Sequence, residues 1–488
     1  MAWFFRGRNI VIIRLKGGSL ITFTPTLILN ERLMDISTHP ELTASLAEIV
    51  GAISFALDLT EGQPAGHSLR CTWIAMHIGH ALQLDDAALS DLYYSVLLKD
   101  AGCSSNAARL WELYGDDERL VKKDFKLVDT QNLLQLARFV FRHAGKNEDL
   151  IGKMRRVIHL GSKGEDLATE LVQTRCERGS NIALELGFNS RVAESIKSLD
   201  EHWNGKGRPE GLKGNQIPLF SQIALIAQVV DVFYKTGSRH EVMAELQRRS
   251  GTWFKPDLVS IFHEIAPIET FWEGLRDGDL ESRVSALEPV TFRTYIDEDR
   301  LDRIAEVFAS IVDIKSPYTH DHSRRVSLYA DGIAIEMGMT AEHRRWLRRG
   351  ALLHDVGKLG VSNHILDKPG KLDDQEWEEI RTHAGLTKEV LERIFHFQDM
   401  AAVAGAHHER LDGKGYPLGL HAKDIALETR IITTADIFDA ITASRPYRDA
   451  VPVVRTLEIM EQEIGKSIDQ NCLEALKKCL PSWTSLQQ

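Results

Sequence analysis

Along the segment LDRIAEVFASIVDI, Leu301, Ile304, Val307, Phe308 and Ile311 recur at spacings of three and four, the stripe of an amphipathic helix with one buried face. Thr340, followed by Ala341 and Glu342, supplies an N-cap hydroxyl and an acidic first turn. A helix is therefore predicted to run through Trp346, Leu347 and Leu352 toward His354. WEEIRTHAGLTKEVLERIF and TLEIMEQEI carry the same periodicity. Only about the first 30 residues alternate like strands, with Asn9 to Ile13 and Ser19 to Leu29 broken by Arg14, Lys16 and Pro25. The predicted fold class is mainly α, with a short strand-like N-terminal segment.

The pattern also repeats. LLKDAGCSSN around Lys99 matches LLHDVGKLGVSN around His354, and GHSLRC at Gly66 matches DHSRRV at Asp321, both at an offset of 255 residues. WNGKGRPEG at Trp203 matches LDGKGYPLG at Leu411 at an offset of 208, and VVDVFYKTGS at Val229 matches TADIFDAITAS at an offset of 205, which sets Asp231 on Asp436. Four matches in one order imply a tandem duplication. The fall in offset from 255 to 208 gives the first copy 47 additional residues between Asp100 and Gly205, expected near Trp111 to Asn147. The acidic stretch interrupted by Gly274, Gly278 and Pro289 is the expected junction, so residues 1–290 and 291–488 are read as two tandem helical domains.

A chain of 488 residues with 43% hydrophobic and 26% charged residues has the composition of a folded globular protein rather than a disordered or membrane-embedded one. Its net charge of −11 gives no general attraction for DNA, RNA or an anionic membrane. Any anionic ligand therefore needs a local basic or metal site. The five cysteines are scattered without a C-x-x-C pair, and the apolar N-terminal segments are too short and broken to span a bilayer. A cytoplasmic location is expected.

The candidate chemistry lies in the second copy, where His322, His354, Asp355, His383, His407, His408 and Asp436 are all residue types that ligate borderline or hard divalent metals. His354 and Asp355 end a predicted helix just before Gly357 and can point into one crevice. The adjacent pair His407 and His408 cannot share a helix face as an i,i+4 pair would, so a turn wrapped around a centre is expected. His343, His364, His396 and His421 lack such neighbours and are read as ordinary structural histidines.

HDVGK at His354 and HHERLDGKGYP at His407, with YTHDHSRRV upstream and ADIFDAITASRPYR downstream, closely resemble the HD-GYP group of HD phosphohydrolases over roughly residues 297–476. The resemblance implies an all-helical, metal-dependent phosphodiesterase acting on a 3',5'-linked cyclic dinucleotide. Cyclic di-GMP is the commonest substrate of the group, and 3',3'-cyclic GMP-AMP (3',3'-cGAMP) is the alternative. It implies that His322, His354, Asp355 and Asp436 ligate one metal and His383, His407 and His408 another, with Asp355 bridging. Two divalent transition-metal ions, Fe, Mn or Ni, are expected, because Tyr318 stands where some members supply a glutamate for a third. Lys358 is the implied catalytic contact to phosphate. Arg445, Arg448 and Tyr416 are the implied substrate contacts. Homodimerisation and contacts with signalling proteins through the Gly413–Pro417 loop are further implications.

On the first copy the same positions read His67, Lys99, Asp100, Arg175, Leu199, Asp200 and Asp231, with Cys103 for Lys358 and Arg208 for Tyr416. Fixed cations at Lys99 and Arg175 oppose a metal pair, so this copy is expected to be non-catalytic and regulatory or dimerising. Two other classes compete. An HD-type nucleotidase would not need His407, His408 and the GYP loop, and a non-catalytic cyclic dinucleotide receptor would not need two metal sites.

Overall fold

The computed structural model describes residues 11–14, 20–23, 44–146, 148–276, 278–444 and 449–484. Residues 1–43 form one unit and residues 44–488 another. In the first unit, β1 (Val11–Arg14) pairs antiparallel with β2 (Leu20–Phe23), with Val11 opposite Phe23. This agrees with the alternation read from the sequence.

Among its described residues the second unit is helical apart from β3 (Ala44–Ser45) and β4 (Tyr295–Ile296), which pair antiparallel. Its first half contains α1 (Leu46–Thr60), α2 (His67–Ala81), α3 (Asp86–Leu97), α4 (Ala107–Tyr114), α5 (Glu118–Phe125), α6 (Leu133–His143), α7 (Leu150–Glu185), α8 (Ser190–Lys197) and α9 (Leu219–Thr236). Four helices then lead to the junction: α10 (Arg239–Arg249), α11 (Pro256–Ile265), α12 (Glu269–Arg276) and α13 (Leu280–Ser285). The second half contains α14 (Glu298–Asp313), α15 (His322–Glu336), α16 (Ala341–Leu353), α17 (Asn363–Leu366), α18 (Asp374–Glu392), α19 (Gln398–Gly405), α20 (Leu427–Thr442), α21 (Val453–Glu461) and α22 (Gln470–Thr484).

The local signals act as expected. Leu301, Ile304, Val307, Phe308 and Ile311 of α14 are buried. The Thr340 hydroxyl accepts from the His343 amide at 3.2 Å and starts α16. Asp373 and Glu376 form a reciprocal cap on α18.

Helix α1 explains why the two halves form one body. Twelve of its fifteen residues are buried, so it is apolar nearly all round, as a central helix must be. One continuous core joins Ile49, Ile53 and Leu57 of α1 to Ile304, Phe308 and Ile311 of α14 and to Val390 and Leu391 of α18. The contacts are reciprocal. Arg393, just past α18, lies over the Phe55 ring of α1 at 3.7 Å, while Arg178 of α7 donates to Ser310 Oγ of α14 at 2.9 Å. A second core, with Val326, Ile333, Ile432, Phe438 and Leu476, holds α15, α20 and α22 together.

The chain between Gly102 and Arg175 is 47 residues longer than that between Gly357 and His383. The two pairs are equivalent, because a Cβ on either glycine would strike the carbonyl of its partner. The additional residues build α5, α6 and the first turns of α7, so they extend beyond Asn147. Trp111, on α4, instead donates across to His364 Nδ1 on α17 at 3.3 Å. Among the described residues, no helix is long and apolar enough to cross a membrane.

Candidate metal centre

His322, His354, His383 and His407 come within 3.7 Å of Asp355, Asp436 lies beside His322, and His408 packs against His383 and His407. His354 caps α16, and Asp355 opens the following 3-10 turn, Val356–Gly360. That turn lies against α18 because residue 357 is glycine: an added Cβ would sit 2.0 Å from the His383 carbonyl oxygen. Thr387 secures the approach, accepting from the Gly357 amide at 3.0 Å and donating to the His354 carbonyl at 2.9 Å. His407 and His408 follow α19, and Thr433 Oγ1 of α20 donates to the His407 carbonyl at 2.7 Å. His322 opens α15, and Asp436 lies within α20.

Asp355 faces both sides of the centre. Its Oδ2 lies 3.4 Å from His322 Nε2 and 3.3 Å from His354 Nε2, while Oδ1 lies 3.6 Å from His383 Nε2 and 3.7 Å from His407 Nε2. Asp436 Oδ1 is 3.3 Å from His322 Nε2. The rings are held by their other nitrogens: His354 Nδ1 by the Ala351 carbonyl and His407 Nδ1 by the Ala404 carbonyl, each at 2.7 Å. His383 Nδ1 is held by the Ile380 carbonyl and His322 Nδ1 by Asp439 at 2.7 Å. With those protons directed outward, the inward Nε2 atoms of His354, His383 and His407 carry lone pairs, the usual outer arrangement of ligating histidines.

His322 Nε2, His354 Nε2 and Asp355 Oδ1 are buried without a hydrogen-bond partner. Inward-facing orphan acceptors of this kind, with mixed imidazole and carboxylate donors, fit divalent ions well. The electrostatics agree. Burial opposes ionisation of Asp355, but Lys358 at 2.5 Å and the neighbouring histidines hold its carboxyl well below the usual range. Burial lowers His383 to about 4 and His408 to about 3, leaving both neutral. His322 is pushed the other way, to about 10, because Asp355, Asp436 and Asp439 outweigh its burial, so its Nε2 would give up a proton to an incoming ion. The carboxylates thus favour a positive charge in the middle of the site.

Around this centre, Tyr416 packs on His408 with ring centroids 4.8 Å apart, and the Arg381 guanidinium sits 5.5 Å from the Tyr416 ring. Glu409 shapes the loop by accepting from the amides of Leu418, Gly419 and Leu420 at 2.6–3.1 Å. Arg445 and Arg448 lie outside the described residues. His343 and His364 lie away from the centre, beside Glu428 and Glu376. Sequence reasoning missed Asp439, which holds both His322 and, at 2.6 Å, Arg325. Its signal is visible in ADIFD, where Asp436 and Asp439 are three apart and share a helix face.

The first copy corrects one correspondence. Asp231 binds His67 Nδ1 at 2.7 Å and Arg70 at 2.6 Å, as Asp439 binds His322 and Arg325. Asp231 is therefore the counterpart of Asp439, and the offset stays at 208 through α20. The 205-residue match slipped by three within a repetitive helical segment, and Gln228 takes the place of Asp436. Only His67 and Asp100 remain of the seven. Lys99 Nζ lies 3.1 Å from His67 Nε2 and 3.3 Å from Gln228 Oε1, and it pairs with Asp100 Oδ2. These are the counterparts of the atoms surrounding the first metal position. Burial and Lys99 lower His67 to about 4, so it is a neutral acceptor for the ammonium. Arg175 pairs with Asp200, and Lys126 approaches Glu61 Oε2 at 2.9 Å and Asp100 at 3.8 Å.

A family model described as HD domain matches residues 152–258 and 306–472, one segment in each copy. The 3'3'-cGAMP-specific phosphodiesterase 3 of Vibrio cholerae is 49% identical over 90% of this chain and 95% of its own length. A cyclic di-GMP phosphodiesterase of Thermotoga maritima is 35% identical over 37% of the chain and 50% of its own. A crystal structure of a cyclic GMP-AMP specific phosphodiesterase of V. cholerae superposes with a TM-score of 0.64 at 44% identity, covering 90% of this chain and 98% of that one. Two matched segments, the HD pair at His354 and Asp355 and the GYP loop at Gly415–Pro417 place the chain in the HD domain family, in its HD-GYP group.

Proposed function

We propose that the second copy is a cyclic dinucleotide phosphodiesterase with two metal positions that share Asp355, and that its preferred substrate is 3',3'-cGAMP. The observation that carries the metal assignment is the division of Asp355, with one oxygen toward His322 and His354 and the other toward His383 and His407. Both substrates expected from the sequence belong to this class. The V. cholerae relative, matched over 95% of its length, favours 3',3'-cGAMP over cyclic di-GMP.

His322, His354, Asp355 and Asp436 would hold one ion, and His383, His407, His408 and Asp355 the other. When bound, such a pair supplies Lewis-acid chemistry for displacement at phosphorus. Lys358, beside Asp355 and partly exposed, is placed to neutralise charge that develops on a phosphate oxygen. Tyr416 gives the substrate an aromatic edge beside His408. Arg445 and Arg448 are assigned to the phosphates as guanidinium forks.

Residues 1–290 are the proposed regulatory or dimerising copy, and residues 291–488 the catalytic one. Light scattering on the full chain tests the dimer, and a purely monomeric chain would remove that role. Leu418, 68% exposed at the end of the loop, is the assigned contact for signalling proteins, so Leu418→Asp should spare turnover while abolishing any such contact. The five cysteines are buried and no disulfide joins them among the described residues, which supports a reducing, cytoplasmic setting.

The test is turnover by the full chain, loaded with Mn or Fe, on 3',3'-cGAMP and cyclic di-GMP. A higher kcat/KM for 3',3'-cGAMP is expected. A preference for cyclic di-GMP would overturn the substrate assignment, and hydrolysis of neither would overturn the activity.

A further inference from the structure

The additional chain of the first copy encloses a cavity of ≈ 630 Å³ directly over the altered metal site, within the size range of small-molecule sites. Its walls come from α4, α5, α6 and α7. Leu110, Leu136, Val140, Leu160, Leu167 and Leu171 make most of it aliphatic. The polar lining differs in character from that of the catalytic centre. Lys122, Lys126, Arg175 and Arg208 face two carboxylates, Glu61 and Glu165. Lys126, with a side chain 6% exposed, pairs with Glu61 at 2.9 Å and approaches Asp100 at 3.8 Å. Arg208, at the position of Tyr416, donates to Thr169 Oγ1 at 3.1 Å and has no carboxylate within 4 Å among the described residues.

Gly161 and Gly164 line the cavity from the middle of α7, and a Cβ at either would meet nothing within 4 Å. Gly161 is exposed and Gly164 half-buried, so a larger side chain at Gly164 has room to enter the cavity.

We propose that this cavity binds an amphipathic anion, a molecule with a linear apolar chain along the aliphatic walls and a carboxylate or phosphate head at Arg208. Glu61, Asp100 and Asp200 already pair with Lys126 and Arg175, so Arg208 is the cation left to meet the head group, and the aliphatic remainder suits the chain. The site is independent of which cyclic dinucleotide the second copy hydrolyses, and its test needs no turnover.

Isothermal titration of the full-length protein with dodecanoate, dodecyl phosphate and dodecanol, each below its aggregation concentration, tests this. Saturable binding of at least one anion is expected, with dodecanol weaker by about tenfold or more. The stronger of the two anions identifies the head as carboxylate or phosphate. Gly164→Phe, which fills the cavity without removing a contact, should weaken binding at least about tenfold, and Arg208→Gln several-fold. If Gly164→Phe fails to fold, Ala168→Leu fills the same space. Three results would overturn the proposal: no saturable binding of either anion, equal binding of dodecanol, or unchanged affinity in a folded cavity-filled variant. Displacement of dodecanoate by 3',3'-cGAMP from the Asp355→Ala protein would also overturn it, by making the cavity a nucleotide site.

Discussion

The two copies use one framework for opposite electrostatic ends. In the second, Asp355 lies among four imidazoles, the inward nitrogens of His322 and His354 are orphaned, and the local charge favours bound cations. In the first, Asp100 has the same backbone position, but Lys99, Arg175 and Lys126 supply fixed positive charge from within the chain. One His-to-Lys change therefore does more than delete a ligand. It places an ammonium among the atoms that would have surrounded an ion, where it pairs with the carboxylate. The retained pair of His67 with Asp231 shows that scaffold contacts outlast the reactive ones.

The largest effect should come from removing the second copy's centre. His354→Ala with Asp355→Ala in the full chain is expected to reduce 3',3'-cGAMP hydrolysis to background, and residual turnover would place chemistry in the first copy. Lys358→Ala should keep the bound metal and lower kcat by about 10²–10³, the scale of one electrostatic stabiliser. An unchanged rate would remove Lys358 from the reaction.

Lys99→Met sharpens the comparison from the other side. It leaves Asp100, fully buried, short of its nearest cation, and should cost about 3–5 kcal/mol in denaturant unfolding with no gain in metal. Unchanged stability would contradict the ammonium's role. The smallest effect concerns the joint between copies. Glu118 of α5 accepts from Ser362 Oγ at 2.8 Å and from the Asn363 amide at 3.0 Å, just beyond the turn that carries Lys358. Glu118→Ala should cost about 1–3 kcal/mol, and a larger loss of turnover than of stability would show that α5 positions that turn.

The helices and the gathering of the candidate ligands were legible because each is written locally: a three-four stripe in α14, a cap at Thr340, and histidine–aspartate types clustered in short motifs. Asp439 was hidden by the slipped match at Val229, although the 208-residue offset of the loop already pointed to it. The length change revealed the extra chain but not the cavity, which depends on α5, α6 and α7 meeting in three dimensions. The contacts of Glu118 with Ser362 and Asn363, 244 and 245 residues away, have no local signature at all.

The direct test of the division between copies is a metal count on the full-length protein carrying one matched substitution in each. Two ions per chain are expected in the unmodified protein, two in Asp100→Asn, and a loss of most bound metal in Asp355→Asn. A metal content that falls in Asp100→Asn, or that survives intact in Asp355→Asn, would contradict it.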